Sequence, residues 1–145
     1  MIKGFFERLL GAGDSTASDA DARLALTALL VRVARADFSY DAVEQAQIDK
    51  VISRRYALSS AETEALRREA ETLEAEAPDT VRFTRAIKDA VPYDERIAVV
   101  QSLWSVVLAD ATRDEHEDAL LRMVANLLGV SDRDSNLARQ RASGA

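Results

Sequence analysis

Six acidic residues in two matching triads are the part of this chain best suited to chemistry. Asp37, Asp41 and Glu44 form one triad, and Asp110, Asp114 and Glu117 form the other. Both read Asp-x-x-x-Asp-x-x-Glu, and 110 − 37, 114 − 41 and 117 − 44 all equal 73. Carboxylates gathered on a short connection repel one another. Two unit charges about 5 Å apart cost roughly 3 kcal/mol at an effective dielectric of about 20. A hard divalent cation turns that cost into attraction, and Ca²⁺ and Mg²⁺ take oxygen ligands of this kind. The candidate metal ligands are therefore Asp37, Asp41, Glu44, Asp110, Asp114 and Glu117, with Ca²⁺, Mg²⁺ or Zn²⁺ as the cation.

A second chemistry competes at four of these positions. Asp41 with Glu44, and Asp114 with Glu117, stand three apart just before a helical pattern, which is the spacing of a helix-capping box. Capping does not account for Asp37 and Asp110. Each follows an alanine, Ala36 or Ala109, at the C-terminal end of a helical run, where the helix dipole disfavours a carboxylate by roughly 0.3–1 kcal/mol. An acid repeated in a disfavoured place calls for a positive neighbour. Residue types leave open whether that neighbour is a metal ion, a Lys or Arg of this chain, or a basic surface on another protein. The twelve-residue EF-hand loop and its sixth-position glycine are absent.

Composition removes other chemistries. The chain has 145 residues and no cysteine, so there is no thiol nucleophile, disulfide framework or thiolate metal site. A single histidine, His116, rules out an H-E-x-x-H zinc site. Nothing pairs a nucleophile with a base, and no glycine loop cradles a phosphate, so the expectation is a protein that is not an enzyme. A dinuclear carboxylate hydrolase is the least favoured reading. Nineteen basic against 25 acidic residues give a net charge of −6, which disfavours nucleic acid as a partner.

The elements that must hold the two triads are helices. Five glycines and two prolines are too few for a turn-rich β-protein. Leu26, Leu29, Leu30 and Val33 mark a helix ending near Arg35; Ile48, Val51 and Ile52 mark a second, ending near Tyr56. Ser59 and Glu62 form a capping box that opens a third, whose charged run from Arg67 to Glu76 reads as its wet face. A fourth helix, with Phe83 and Ile87, is closed by Pro92. Ile97, Val100, Trp104 and Val107 belong to a fifth. Leu120, Val124 and Leu127 belong to a sixth, stopped by Gly129, and Ser131 caps a seventh running to about Arg141. The first and fifth are apolar nearly all round yet short of a membrane span, which places them at the centre of a bundle. The expected fold is an all-α, single-domain bundle of about seven helices over residues 21–141. A short amphipathic helix at 1–10 and a polar linker at 11–20 precede it. Residues 1–10 carry Lys3, Glu7 and Arg8 and do not read as a signal peptide, so the expected location is cytoplasmic.

The triads belong to a longer repeat: an apolar helix, the acidic turn, an amphipathic helix and a Ser cap. Ile48 and Val51 match Leu121 and Val124, and after a one-residue gap Tyr56-Ala-Leu-Ser59 matches Leu128-Gly-Val-Ser131. Two copies imply an internal pseudo-two-fold axis. With both copies in view, residues 22–141 resemble the TerB-like family, the tellurite-resistance TerB domain. Its signature runs Ala-Asp-Gly, then Asp, then Glu at this spacing. Phe38 and Ala111 stand here where the family has Gly, so the turn is expected to be reshaped. The resemblance implies an all-helical pseudo-symmetric domain in tellurite resistance and related stress responses, with the acidic residues as metal ligands. It implies protein partners, among them a membrane protein of the same stress system, and leaves room for a homodimer. The alternative is a pure protein-interaction adaptor whose acidic turns serve only as caps and docking surface.

Overall fold

Residues 24–34 contain one charged side chain, Arg32, and the structure buries every other residue of that run. A helix with no polar face is stable only when neighbours cover all of it. The computed structural model describes residues 19–36, 40–76, 80–109 and 115–143. Within them the chain forms α1 (Asp19–Arg35), α2 (Ala42–Tyr56), α3 (Ser60–Glu76), α4 (Val81–Ala90), α5 (Tyr93–Ala109), α6 (Glu115–Leu127) and α7 (Asp132–Ala142), with no strand among the described residues. The all-α expectation holds, helix by helix. Residues 1–18, read as an N-terminal helix and most of a linker, lie outside the described residues, and Asp19 and Ala20 already belong to α1.

The first and fifth helices are the hubs. α1 packs against α3 and α4 most extensively, and also touches α2, α5 and α6. α5 packs chiefly on α7 and also meets α1, α2, α4 and α6. Exchanging α1 with α5, α2 with α6 and α3 with α7 maps these contacts onto themselves: α1–α3 becomes α5–α7, and α2–α5 becomes α6–α1. The internal repeat is therefore a feature of the packing as well as of the sequence. α4 has no counterpart and fills the space beside α1 and α6. The core is one continuous cluster that includes Leu29, Leu30, Ile48, Phe83, Leu103 and Leu121.

Helix ends repeat too. Both described residues with positive φ, Ala57 (φ 53°) and Gly129 (φ 75°), sit just after the second helix of their repeat and are equivalent positions. In each, the following amide reaches back five residues, Leu58 N to Ser53 O at 3.0 Å and Val130 N to Ala125 O at 2.9 Å. That bond is the Schellman closure, which prefers glycine because a Cβ crowds the left-handed conformation. Ala57→Gly is thus expected to stabilise the fold by roughly 0.5–1 kcal/mol, and Gly129→Ala to destabilise it by roughly 1 kcal/mol. A Cβ on Gly129 would also press to 3.2 Å on Nη1 of Arg96, which donates to the Leu128 carbonyl at 2.8 Å. Urea-unfolding midpoints of the two variants, moving in opposite directions, check this.

The corner between α1 and α2

α2 starts at the first acidic turn, and its first turn decides what the acids there do. Asp41 is the N-cap, with extended backbone (φ −102°, ψ −177°), and its carboxylate accepts from the amides of Val43 and Glu44 at 3.1 Å. It is exposed, as a capping residue can be. Glu44, three residues on, is completely buried. This departs from the ordinary capping box, seen intact at α3. There the Ser59 amide donates to Glu62 Oε1 at 2.9 Å and the Glu62 amide to Ser59 Oγ at 3.2 Å, all in solvent. Those two bonds, the backbone one foremost, pull the Glu62 carboxyl below its usual range. Glu44 points into protein instead, where burying an ionised carboxylate is costly unless positive charge compensates it.

Of the six candidate ligands, these two are the ones whose side chains the structure describes. Asp37, Asp110 and Asp114 lie outside the described residues. Glu117 belongs to α6, but its side chain is outside them too, as is that of His116. Among the described residues no three acids or histidines gather as a metal cluster.

Around the corner the structure assembles a polar network that helical periodicity alone does not reveal. Tyr40, just before the cap, donates its hydroxyl to Glu71 Oε2 at 2.6 Å and lies beneath the Arg35 guanidinium, 5.0 Å from its ring centroid. Glu71 also accepts from Arg67 Nη1 at 3.0 Å, and Arg67 Nε reaches across to Asp49 of α2 at 2.7 Å. Below them Glu74 takes Arg32 Nε at 3.0 Å and Arg35 Nη1 at 2.7 Å. The run from Arg67 to Glu76 is therefore only partly the wet face expected of it. The side chains of Arg67 and Glu74 are 14% and 12% exposed, and they tie α3 to α1 and α2. Beside them an open groove of about 660 Å³ is lined by Arg35, Gln45, Arg67, Arg68 and Glu71 with their α3 neighbours. The local signal was the Arg67–Glu71 spacing of four on one helix; the partners on α1 and α2 had none.

Charge in this network follows from burial and pairing. Burial, then the hydrogen bond to Glu71, pushes the Tyr40 phenol well above the ordinary tyrosine range. Burial works against the Arg67 cation, but its bonds to Asp49 and Glu71 outweigh that and hold its proton more tightly than in water. The sign for Tyr40 is that of a raised folded-state value. Its contribution is complete below the unfolded value of about 10 and is lost as pH rises from there through the folded value. The expected outcome is a late step in the phenolate absorbance titration of the folded protein that Tyr40→Phe removes. Wild type should also lose stability above pH ~10 more steeply than that variant does.

The fold and this corner can be set beside known proteins. No curated protein matches the chain, and no solved structure does. The family described as tellurite resistance protein TerB matches over residues 23–140, which takes in all of α2 to α6, most of α1 and α7, and both acidic turns. The match spans well over half of the 145 residues, and with the helix order and internal two-fold already described it places the chain in the TerB family.

Proposed function

We propose that this chain is a non-catalytic binding module of a tellurite-related stress response, working in the cytoplasm. In this reading its two acidic turns take a divalent cation and present the loaded corners to protein partners. The observation that carries it is the burial of Glu44. A carboxylate placed inside protein, in an acidic turn that the sequence repeats, suits a site built for positive charge better than a solvated helix cap. Asp41 adds a second oxygen-bearing group at the start of the same helix while its cap bonds fix the backbone. Asp37 and the second triad are proposed as the remaining ligands on the strength of the repeat. No described helix is long and apolar enough to cross a membrane, so a membrane protein of the same system would enter as a partner.

Thermal melting with Ca²⁺, Mg²⁺ and Zn²⁺ tests the proposal. At a hundredfold excess over Kd a bound ion adds about 2.7 kcal/mol, a shift of several degrees. The expected result is that at least one ion raises the melting temperature and that Asp37→Ala with Asp110→Ala abolishes the shift. No shift with any of the three at millimolar concentration, or an equal shift in the double variant, overturns it. A docking-only reading is favoured by one observation, the open groove that Arg35, Gln45, Arg67 and Glu71 line between α1, α2 and α3. It predicts partner binding that survives chelation of metal and fails on loss of Asp37 and Asp110.

A further inference from the structure

Among the described helices α4 alone lacks a counterpart, and the repeat says where in the chain that counterpart belongs. α4 immediately precedes α5 yet packs mainly on α1, the hub of the other repeat. Its equivalent therefore precedes α1 and belongs on α5. Residues 1–18 hold that place in the sequence. Their pattern is also that of α4. Phe83, Ala86 and Ile87 are completely buried, and Arg85 between them is exposed. Phe6-Glu7-Arg8-Leu9-Leu10 matches Phe83-Thr84-Arg85-Ala86-Ile87 residue for residue in spacing. The offset is 83 − 6 = 77, so the connection to the following helix is 77 − 73 = 4 residues longer than that between α4 and α5. Each added residue lengthens the reach by about 3.3 Å.

The face that α4 covers on α1 is open on α5. Arg32 marks that face: its guanidinium lies 5.3 Å from the Phe83 ring centroid and donates to Thr80 Oγ1 at 3.2 Å. Ala25, Ala28 and Leu29 stand seven, four and three residues before it, on the same side of the helix, and are completely buried. The offset of 73 carries these four to Ala98, Gln101, Ser102 and Ser105. Ala98 is exposed and the other three are half-buried. Serines stand where α1 has Leu29 and Arg32, so the α5 face is shallower, and Leu9 in place of Ala86 supplies matching bulk. The two hydroxyls are already spent within the helix, Ser102 Oγ donating to the Ala98 carbonyl at 3.1 Å and Ser105 Oγ to the Ser102 carbonyl at 2.6 Å. Covering this face with apolar side chains leaves neither hydroxyl hydrogen unpaired.

We propose that residues 1–10 dock as a second α4, laying Phe6, Leu9 and Leu10 on the α5 face formed by Ala98, Ser102 and Ser105. The segment closes the second repeat as α4 closes the first, and its partner is this chain's own central helix.

The chain has no cysteine, so pairs of engineered thiols report on proximity without background. Phe83 touches Arg32, and the equivalent pair is Phe6 with Ser105. A short bis-maleimide is added to the full-length double variant Phe6→Cys/Ser105→Cys and, as control, to Phe6→Cys/Met123→Cys, whose second site is an exposed apolar residue on α6. The expected yield of crosslink within one chain is at least ~10-fold higher for the first pair, because docking raises the effective concentration there. Phe6→Asp with Leu9→Asp, in the otherwise native chain, should lower the melting temperature by several degrees and speed amide exchange along α5. Equal yields in the two pairs overturn the proposal, as does an unchanged melting temperature in the aspartate variant. Crosslinks that mainly join two chains overturn it in favour of a second copy as the occupant. Binding of the wild type to anionic phospholipid vesicles that the aspartate variant loses, with α5 exchange the same in both, overturns it in favour of a membrane-surface role for the segment.

Discussion

Phe83→Ala is expected to be the most damaging single truncation in the bundle, costing about 3–5 kcal/mol. The ring is completely buried on α4, the helix without a counterpart in the repeat, and it belongs to the continuous core. Two effects add. Removing the ring leaves a cavity that backbones held by α1 and α6 cannot fully close. The Arg32 guanidinium, 5.3 Å from the ring centroid, also loses an aromatic face worth about 0.5–1 kcal/mol. A domain of this size has roughly 5–15 kcal/mol in total, so the melting temperature should fall on the order of 10–20 °C. Phe83→Leu keeps most of the volume and should cost less than about 1.5 kcal/mol. Calorimetry of the two variants separates the cases. An alanine variant melting within a few degrees of wild type would mean that α4 is not held through this residue.

Helices were legible in the sequence wherever one helix carried its own signal. The unbroken apolar run of α1 required a central position, and the structure gives it one. The Ser59–Glu62 box and the Ser131 cap are bonds within four residues, and both are present as expected. Pro92 holds Val91 extended (ψ 123°) and closes α4. What stayed hidden depends on a second element. Ala57 does not announce a left-handed residue; only its equivalence to Gly129 points there. Glu44 at the third position of a helix reads as an exposed cap partner, because capping spacing is blind to the helix packed over it. The wet-face reading of residues 67–76 failed at Arg67 and Glu74 for the same reason, since their partners Asp49, Arg32 and Arg35 lie 18 to 42 residues away. The triads were legible as a repeated pattern. Of their geometry the described residues give Asp41 as a working cap and Glu44 as a buried acid.

Glu74→Ala should be the most damaging change among the polar side chains, at about 3 kcal/mol. One carboxylate there serves two arginines from the last turn of α1, with Oε2 taking Arg32 at 3.0 Å and Oε1 taking Arg35 at 2.7 Å. With 12% of its side chain exposed, Glu74 is screened far less than a surface ion pair, so the near-zero value of exposed bridges does not apply. The variant leaves two guanidinium groups close together without the acid between them, adding repulsion to lost attraction. Part of the cost is offset, because Arg32 keeps Thr80 Oγ1 at 3.2 Å and the carbonyl of residue 74 at 3.1 Å. Glu74→Gln should fall between wild type and alanine, as it keeps an acceptor and loses the charge. The pair also couples to the core, since Arg32 is the cation above Phe83. Costs of Glu74→Ala and Phe83→Ala should therefore not add in the double variant, with a coupling of about 0.5–1 kcal/mol in urea unfolding. Strict additivity would show that Arg32 does not link the two. The consequence reaches the acidic corner, because Arg35, held by Glu74, also covers Tyr40 immediately before the cap of α2. Loosening that clamp should weaken any cation-induced rise in melting temperature, whereas a Glu74 that only stabilised the fold would lower the baseline and leave the rise intact.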